Sequence, residues 1–317
     1  MLGNMMNGQL LISGLIEHAE AYHADQEIVS RSVEGPIHRY TFSEAAKRSR
    51  QLANALTGLG LGKGDTIGTL AWNTFRHFEL YFGVSGIGCV VNTVNPRLFP
   101  EQLTYIINHA ENQYLFVDLS FVELLESISD QLEGIKGVII LTDKDHMPQT
   151  SLENVHCYEE LIGNESEEFD WPQFDENTAS SLCYTSGTTG NPKGVLYSHR
   201  STVLHAWIVS SGNVARVSSS TVILPVVPMF HVNAWGIPYA AAMFGAKLVF
   251  PGPLLDGESI HELIESEKPD LLMGVPTVWL GLLQYLSGAN KTIDSVDTAL
   301  VGGAAAPRAM IQEFEEK

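Results

Sequence analysis

The chain has 317 residues, of which 44% are hydrophobic and 17% are charged, and this composition excludes a disordered protein. Its formal net charge of −19 argues against a protein that wraps nucleic acid or docks on anionic lipid, because both need a basic surface. Cys89, Cys157 and Cys183 are few and far apart, so we expect three buried thiols rather than a disulfide framework or a zinc site. No signal-peptide pattern opens the chain, and we expect a soluble cytoplasmic protein.

Alternating strand and helix patterns run through the first half of the chain. Residues 9–23 predict an amphipathic helix, and residues 27–32 and 37–42 predict a hairpin. Thr41 and Glu44 have the spacing of a capping box that starts a helix ending near Leu56. The following predicted strands are 66–71, 89–94, 114–118 and 137–141, and the following predicted helices are 75–86, 100–111 and 119–131. This alternation predicts an α/β fold with a mostly parallel sheet covered on both faces.

An acidic segment separates this half from a second one with the same alternation. Residues 163–177 contain six acidic and no basic residues, which indicates a solvated connector. We therefore predict a first α/β subdomain over residues 1–162 and a second over 178–317. The second half has predicted strands at 179–184, 194–198, 221–224, 247–251, 270–274 and 298–301, and predicted helices at 200–213, 234–244, 256–267 and 277–286, with a last helix ending at Lys317.

A long stretch without Asp, Glu, Lys or Arg, residues 217–246, also lies in this half. Its length alone would suit a membrane-spanning helix. It contains Pro225, Pro228 and Pro238, however, so a spanning helix is not expected. We interpret the stretch as an interior wall, and we expect no stable membrane insertion.

The most informative motif is LCYTSGTTGNPKGVLYSHR, from Leu182 to Arg200. Two strand-like runs flank a turn rich in glycine and hydroxyl groups. Glycine lets backbone N–H groups converge on an anion, and hydroxyls and a lysine add further donors for phosphate oxygens. The spacing differs from a Walker P-loop. The predicted phosphate-binding residues are Thr185, Ser186, Gly187, Thr188, Thr189, Gly190 and Lys193.

This motif resembles the phosphate-loop signature of the adenylate-forming superfamily, which includes acyl-CoA synthetases, luciferases and the adenylation domains of peptide synthetases. Within it, the chain is most similar to medium- and long-chain fatty acyl-CoA ligases and to 3-methylmercaptopropionyl-CoA ligases. The resemblance implies two stacked α/β subdomains with mostly parallel sheets. It also implies ATP, Mg²⁺ and CoA as cofactor and co-substrates, a homodimer, and contact of Thr185 with the metal.

The resemblance also gives roles to three segments beyond the loop. In Pro228–Trp235, the sequence PMFHVNAW, His231 would orient the substrate carboxylate, and it would be catalytic together with Lys193. Core packing and a gate on the acyl tunnel are equal alternatives for Trp235. The implied adenine-side loop is Gly302, Gly303, Ala304 and Ala305, although on composition alone the segment could equally be an ordinary tight strand-to-helix turn. The implied acyl-side residues are His231, Val232, Asn233, Trp235, Gly274, Val275 and Thr277, with a core role equally open for the last three.

The expected activity is ATP-dependent formation of an acyl-adenylate from a carboxylic acid, followed by transfer to CoA. Relatives in the superfamily continue through Tyr-Gly-x-Thr-Glu and Thr-Gly-Asp segments to a small C-terminal domain with a catalytic lysine. None of these follows Lys317, so we expect an N-terminal portion that is inactive alone. The alternatives are a ligase for a short thioether acid such as 3-methylmercaptopropionate, an adenylating enzyme with another acceptor, or a non-catalytic nucleotide-binding fragment.

Overall fold

A computed structural model describes residue 1, residues 3–185 and residues 190–317. Over this part of the chain the strands are β1 (Glu27–Arg31), β2 (Ile37–Thr41), β3 (Thr66–Leu70), β4 (Val90–Thr93), β5 (Asn112–Val117), β6 (Gly137–Ile140), β7 (Val155–Cys157), β8 (Ala179–Tyr184), β9 (Gly194–Ser198), β10 (Val222–Pro225), β11 (Lys247–Phe250), β12 (Leu271–Gly274) and β13 (Thr298–Val301).

The α-helices over the same residues are α1 (Ser13–Tyr22), α2 (Phe42–Gly58), α3 (Phe75–Gly86), α4 (Pro100–His109), α5 (Val122–Glu126), α6 (Tyr158–Gly163), α7 (His199–Val209), α8 (Ile237–Phe244), α9 (Gly257–Glu267), α10 (Pro276–Ala289) and α11 (Arg308–Glu316). Within this described part, no helix has both the length and the apolar character needed to cross a membrane.

The strands form two sheets, and both are mostly parallel. The first has seven strands in the order β7-β6-β5-β3-β4-β8-β9, and the second has six in the order β13-β12-β10-β11-β1-β2. Among the strand pairs of the described residues, β8–β9 and β1–β2 are antiparallel and the others are parallel. The predicted α/β class with mostly parallel sheets is therefore confirmed.

Helix α3 lies between the two sheets. All twelve of its residues are buried, and it contacts β4 of the first sheet and β1 of the second. Ile67 of β3 and Leu248 of β11 belong to one continuous cluster of buried apolar side chains. The two sheets are therefore stacked around a shared apolar layer, as expected from the family resemblance.

The sheets do not follow the predicted division of the chain. Strands β1 and β2 come from the first half but extend the second sheet through β11, and β8 and β9 come from the second half but extend the first sheet through β4. The acidic residues 163–177 therefore do not separate the sheets. The division into residues 1–162, 163–177 and 178–317 as folding units stays a prediction.

Several local predictions agree closely with the structure. The Thr41 hydroxyl accepts from Glu44 N, and the Glu44 carboxylate accepts from Thr41 N at 2.8 Å, so the capping box is present. Cys89, Cys157 and Cys183 are buried free thiols. The predicted helix 119–131 is wrong: this segment forms short 3₁₀ turns around the five-residue α5. Strand β7 and helix α6 were not predicted.

Candidate active site

The predicted phosphate loop is closed at its base by the strands that flank it. Tyr184, the last residue of β8, pairs with Gly194, the first residue of β9. Thr185 N donates to Lys193 O at 3.0 Å, and Lys193 N donates to the Thr185 hydroxyl at 3.2 Å. The ends of the loop are therefore joined, which is the arrangement expected of a compact anion-binding turn.

Two of the predicted phosphate-binding residues can be described further. Gly190 has a backbone φ of 152°, a value that residues with a Cβ rarely adopt. The Lys193 side chain is exposed, and over the described residues it forms no ion pair with a carboxylate. Ser186, Gly187, Thr188 and Thr189 lie outside the described residues.

The segment that leads to His231 is held by Asn73, from the loop after β3. Asn73 Nδ2 donates to Pro225 O at 2.8 Å and to Val227 O at 2.9 Å, and its Oδ1 accepts from Met229 N at 2.7 Å. Asn73 is 4% exposed. The first sheet therefore fixes the end of β10 in the second sheet, and His231 follows this segment as an exposed residue.

A left-handed turn follows His231. Five consecutive residues have positive φ: Val232 47°, Asn233 48°, Ala234 49°, Trp235 55° and Gly236 72°. A left-handed conformation costs a residue with a Cβ about 1–2 kcal/mol, although asparagine tolerates it better than most residues. Backbone strain of this kind is typically found at functional sites, where neighbouring contacts stabilise it. The predicted helix at 234–244 therefore begins later, with α8.

The side chains of this turn point in different directions. Asn233 is 6% exposed, and its Nδ2 donates to the Ser181 hydroxyl of β8 at 2.8 Å. Val232 is exposed and Trp235 is half-buried. His205 Nε2 donates to Trp235 O at 3.0 Å. The turn is therefore fixed both to the first sheet and to helix α7.

The predicted adenine-side loop meets this turn. Gly302 N donates to Gly274 O at 3.1 Å across the β12–β13 pair, and the Trp235 indole lies directly against Gly302. Gly303 has φ 79° and lies beside Val275, whose Cγ1 would be 3.4 Å from a Cβ at residue 303. Ala304 and Ala305 are exposed. The structure thus brings together the predicted acyl side and adenine side.

The predicted acyl-side residues Gly274 and Thr277 lie in different surroundings, at the end of β12 and at the start of α10. A Cβ on Gly274 would overlap the ring of buried Trp279, whose Nε1 donates to Leu300 O at 3.4 Å. Gly274 is therefore required by core packing as well as by its place at the edge of the sheet. Thr277 is exposed in the first turn of α10, away from the Trp279 contact.

A cavity of about 240 Å³ lies beside the left-handed turn. It lies between β9, α7 and α8, and six of its lining residues were not predicted from the sequence. The residues that line it are Tyr197, Ser201, Thr202, His205, Val232, Asn233, Gly236 and Tyr239. One sequence pattern could have identified three of these residues. In the helix after the predicted phosphate loop, the polar residues Ser201, Thr202 and His205 have the spacing i, i+1 and i+4.

Arg97 is a further residue near the site that the sequence did not identify. Its guanidinium lies 5.7 Å from the ring of Trp72 and 5.6 Å from the ring of Phe230, the residue before His231. Beneath these rings, Trp72 N donates to the Asp118 carboxylate at 2.6 Å. Burial raises the pKa of Asp118 to about 7. The Arg97 guanidinium therefore lies against the aromatic ring that precedes His231 in the chain.

Comparisons with known proteins agree on a single family. Residues 16–317 match the family model described as AMP-binding enzyme. The chain is 51% identical over all of its 317 residues to the 3-methylmercaptopropionyl-CoA ligase of Ruegeria lacuscaerulensis, covering 59% of that protein. It is 49% identical over 316 residues to the medium-chain-fatty-acid–CoA ligase of Ectopseudomonas oleovorans, covering 58% of that protein. It thus spans about three fifths of the length of these relatives.

The fold is also that of a solved ligase. The structure matches the anthranilate CoA ligase AuaEII, solved in complex with anthranoyl-AMP, with a TM-score of 0.86 over 100% of this chain and 59% of that chain. The sequence identity of this pair is 22%, so the match establishes the fold alone.

Proposed function

Since this chain belongs to the family of AMP-binding enzymes, we propose that it activates a carboxylic acid with ATP as an acyl-adenylate and then transfers the acyl group to CoA. One observation carries the proposal: the turn that bears His231 and Trp235 is joined both to β8, which leads into the phosphate loop, and to Gly302 of the predicted adenine-side loop. An acid, a triphosphate and an adenine ring would therefore meet at one junction.

The first step needs no general base. A carboxylic acid is ionised at neutral pH, so its oxygen can attack the α-phosphorus of ATP directly. The bond between the α-phosphorus and the bridging oxygen breaks, and pyrophosphate leaves. The protein has to hold two anions close together and stabilise the charge that develops on the phosphates.

The residues of the junction have separate roles in this step. Lys193 and the donors of the loop would bind the β- and γ-phosphates, and hydrogen bonds to charged groups contribute about 1.5–3 kcal/mol each. His231 would orient the carboxylate from its exposed position before the left-handed turn. In the second step the CoA thiolate attacks the acyl carbon, the bond to the phosphate oxygen breaks, and AMP leaves.

Thr185 is the residue that would contact Mg²⁺. Its hydroxyl is exposed and already accepts from Lys193 N, and a single oxygen ligand fits an ion that binds mainly through substrate phosphates and water. When bound, Mg²⁺ neutralises charge on the phosphate oxygens. The chain's own part is to hold this hydroxyl at the base of the loop.

The cavity beside the turn is the proposed site of the acyl tail. At about 240 Å³ it is smaller than the pockets of about 300–1,000 Å³ that hold drug-sized ligands. This favours a short or medium-length acid. A thioether acid such as 3-methylmercaptopropionate and a medium-chain fatty acid are the two substrates that the names of the relatives suggest.

We further propose a cytoplasmic homodimer. Three buried free thiols suit a reducing compartment. Helix α7 exposes Leu204, Trp207 and Ile208 on one face, with relative exposures of 37%, 64% and 63%. Exposed apolar patches of this kind often mark contacts between chains. Analytical ultracentrifugation over a concentration series tests the dimer.

The experiment that tests the proposed activity is a panel of carboxylic acids given to the full-length protein with ATP and CoA. Thioester and AMP should form in equal amounts, with the highest kcat/KM for acids of short or medium length. The thioether acid and straight-chain acids of matched length separate the two proposed substrates. A protein that binds a non-hydrolysable ATP analogue but forms no thioester with any acid would instead be a nucleotide-binding protein without this activity.

A further inference from the structure

The left-handed turn Val232–Gly236 raises the question of what holds it in place. Four of its residues carry a Cβ and still have positive φ. Such a conformation persists where surrounding contacts determine it. His231 comes directly before the turn and Trp235 lies within it, so any residue that holds the turn also sets the position of both.

Asn233 is the residue of the turn whose side chain reaches into the first sheet. Its Nδ2 donates to the Ser181 hydroxyl at 2.8 Å, and its Oδ1 accepts from the Cys183 thiol at 3.3 Å. Ser181 is 0% exposed and Cys183 is 5% exposed. The Tyr81 hydroxyl of α3 also lies 3.5 Å from this Oδ1, and the two closer partners of the Asn233 amide come from β8.

Those partners belong to the strand that enters the phosphate loop. Ser181 and Cys183 are two residues apart on β8 and so share one face of the sheet. The strand ends at Tyr184, and Thr185 then forms the closing contacts of the loop with Lys193. A rigid connection therefore runs from the left-handed turn through Asn233 and β8 to the base of the loop.

We propose that Asn233 is a positioning residue that sets the distance between the carboxylate site at His231 and the phosphate site at Thr185 and Lys193. The inference rests on the proposed adenylation activity. It differs from the expectation that Asn233 contacts the substrate, because its amide is already bonded to β8. Reaction between two bound anions depends on their alignment, and a displacement of about 1 Å can cost about 100-fold in rate.

The test compares variants that separate the backbone of residue 233 from its side chain. Asn233→Gly keeps the left-handed backbone accessible and removes the amide, whereas Asn233→Ala also disfavours the backbone conformation. In acid-dependent pyrophosphate exchange by the full-length protein, Asn233→Gly should lower kcat about tenfold or more. The KM for ATP should change less than about threefold. The loss in kcat should exceed any rise in the KM for the acid, because Asn233 also lines the proposed acyl cavity.

A second variant approaches the same contact from the other side. Ser181→Ala removes the hydroxyl that accepts from Asn233 and should lower kcat in the same way. The double variant should be no slower than Asn233→Gly, because the two residues act through one contact. If Asn233→Gly does not fold, the kcat of Ser181→Ala alone tests the positioning role. Asn290→Gly is the matched control: Asn290 also has positive φ, at 53°, but is exposed at the end of α10, and exchange should not change.

The outcomes separate this inference from the activity on which it rests. A rise in the KM for the acid with unchanged kcat would show that Asn233 contacts the substrate, and this overturns the positioning role. The positioning role is also overturned if the double variant combines the full kcat losses of the two single variants, or if the single variants have the same kcat as the parent. If the parent protein shows no exchange with any acid while it binds ATP, the proposed activity fails first, and the inference fails with it.

Discussion

The indole ring of Trp235 lies so close to Gly302 that a Cβ built on Gly302 would overlap the six-membered ring. The two residues are 67 positions apart in the chain, and they join the left-handed turn to the predicted adenine-side loop. Trp235 is half-buried at this contact. The ring can occupy this position because residue 302 has no Cβ, and both the gate and the core interpretation of Trp235 remain predictions.

Gly302→Ala tests this contact. The added methyl group must displace the indole, and overpacking of this kind typically costs about 1–3 kcal/mol of stability. The fluorescence of Trp235 is obtained by subtracting the spectrum of a Trp235→Phe protein. Acrylamide should quench this fluorescence more strongly in the Gly302→Ala protein than in its parent. Gly281→Ala is the control, since a Cβ at residue 281 meets open space. Equal stability and equal quenching in the Gly302→Ala protein and its parent would contradict the contact.

Asn73→Ala should destabilise the protein by about 3 kcal/mol or more. It removes the partner of two backbone carbonyls and one backbone N–H in a buried segment, and each such group left unsatisfied costs about 1–3 kcal/mol. Chemical denaturation measures the change. Asn54→Ala is the matched control, because Asn54 also donates to two carbonyls but at an exposed position. A similar loss in the two variants would contradict the special role of Asn73.

Glu79→Ala should be strongly destabilising. The Glu79 side chain is 0% exposed and accepts from Arg48 Nε at 2.7 Å and from the Tyr158 hydroxyl at 2.6 Å. Removing this carboxylate leaves the Tyr158 hydroxyl without its acceptor and leaves Arg48 with Glu159 as its remaining carboxylate partner. Each buried polar group that loses its partner costs about 1–3 kcal/mol. The exposed pair of Lys144 and Glu160 provides the comparison: Glu160→Ala should change the unfolding midpoint little. A small effect of Glu79→Ala would indicate that Glu159 alone compensates the charge of Arg48.

The pH dependence of stability should include a contribution from His77. Burial lowers the pKa of His77 from 6.5 to about 4, so the unfolded chain binds a proton at this residue between these values and the folded chain does not. The stabilisation is complete above pH 6.5 and is lost as the pH falls towards 4, by about 3 kcal/mol in total.

The variant His77→Gln isolates this effect from all other titrating groups. The difference in unfolding free energy between the parent and His77→Gln should shrink by about 3 kcal/mol from pH 7 to pH 4. Denaturation curves across this range measure it. Parallel pH profiles for the two proteins would show that His77 does not titrate as expected.

The sequence predicted local structure well where short-range contacts determine it. Thr41 and Glu44 form their capping box within one helical turn, and the predicted helix 75–86 coincides with α3. The pairing of β1 with β11 was not predicted, because it joins residues more than 200 positions apart and depends on the shared apolar layer. Residues 119–131 have helical periodicity but form only a short α5 between 3₁₀ turns.

The candidate site shows the same limit. The loop could be predicted from its glycines, hydroxyls and Lys193 because these residues follow one another closely in the sequence. Asn73 forms hydrogen bonds with residues 152–156 positions away, and Asn233 with residues 50–52 positions away. Such partners cannot be identified from one stretch of the sequence. The left-handed turn was also missed, because tertiary contacts rather than residue preference hold Val232, Ala234 and Trp235 at positive φ.

The most direct test of the central claim is acid-dependent exchange of labelled pyrophosphate into ATP by the full-length protein. Exchange should require a carboxylic acid, and Lys193→Ala and His231→Ala should each lower its rate at least about tenfold, with both variants folded as judged by thermal unfolding. Exchange without any acid, or rates equal to the parent in both variants, would contradict the assignment of the phosphate loop and His231 to carboxylate activation.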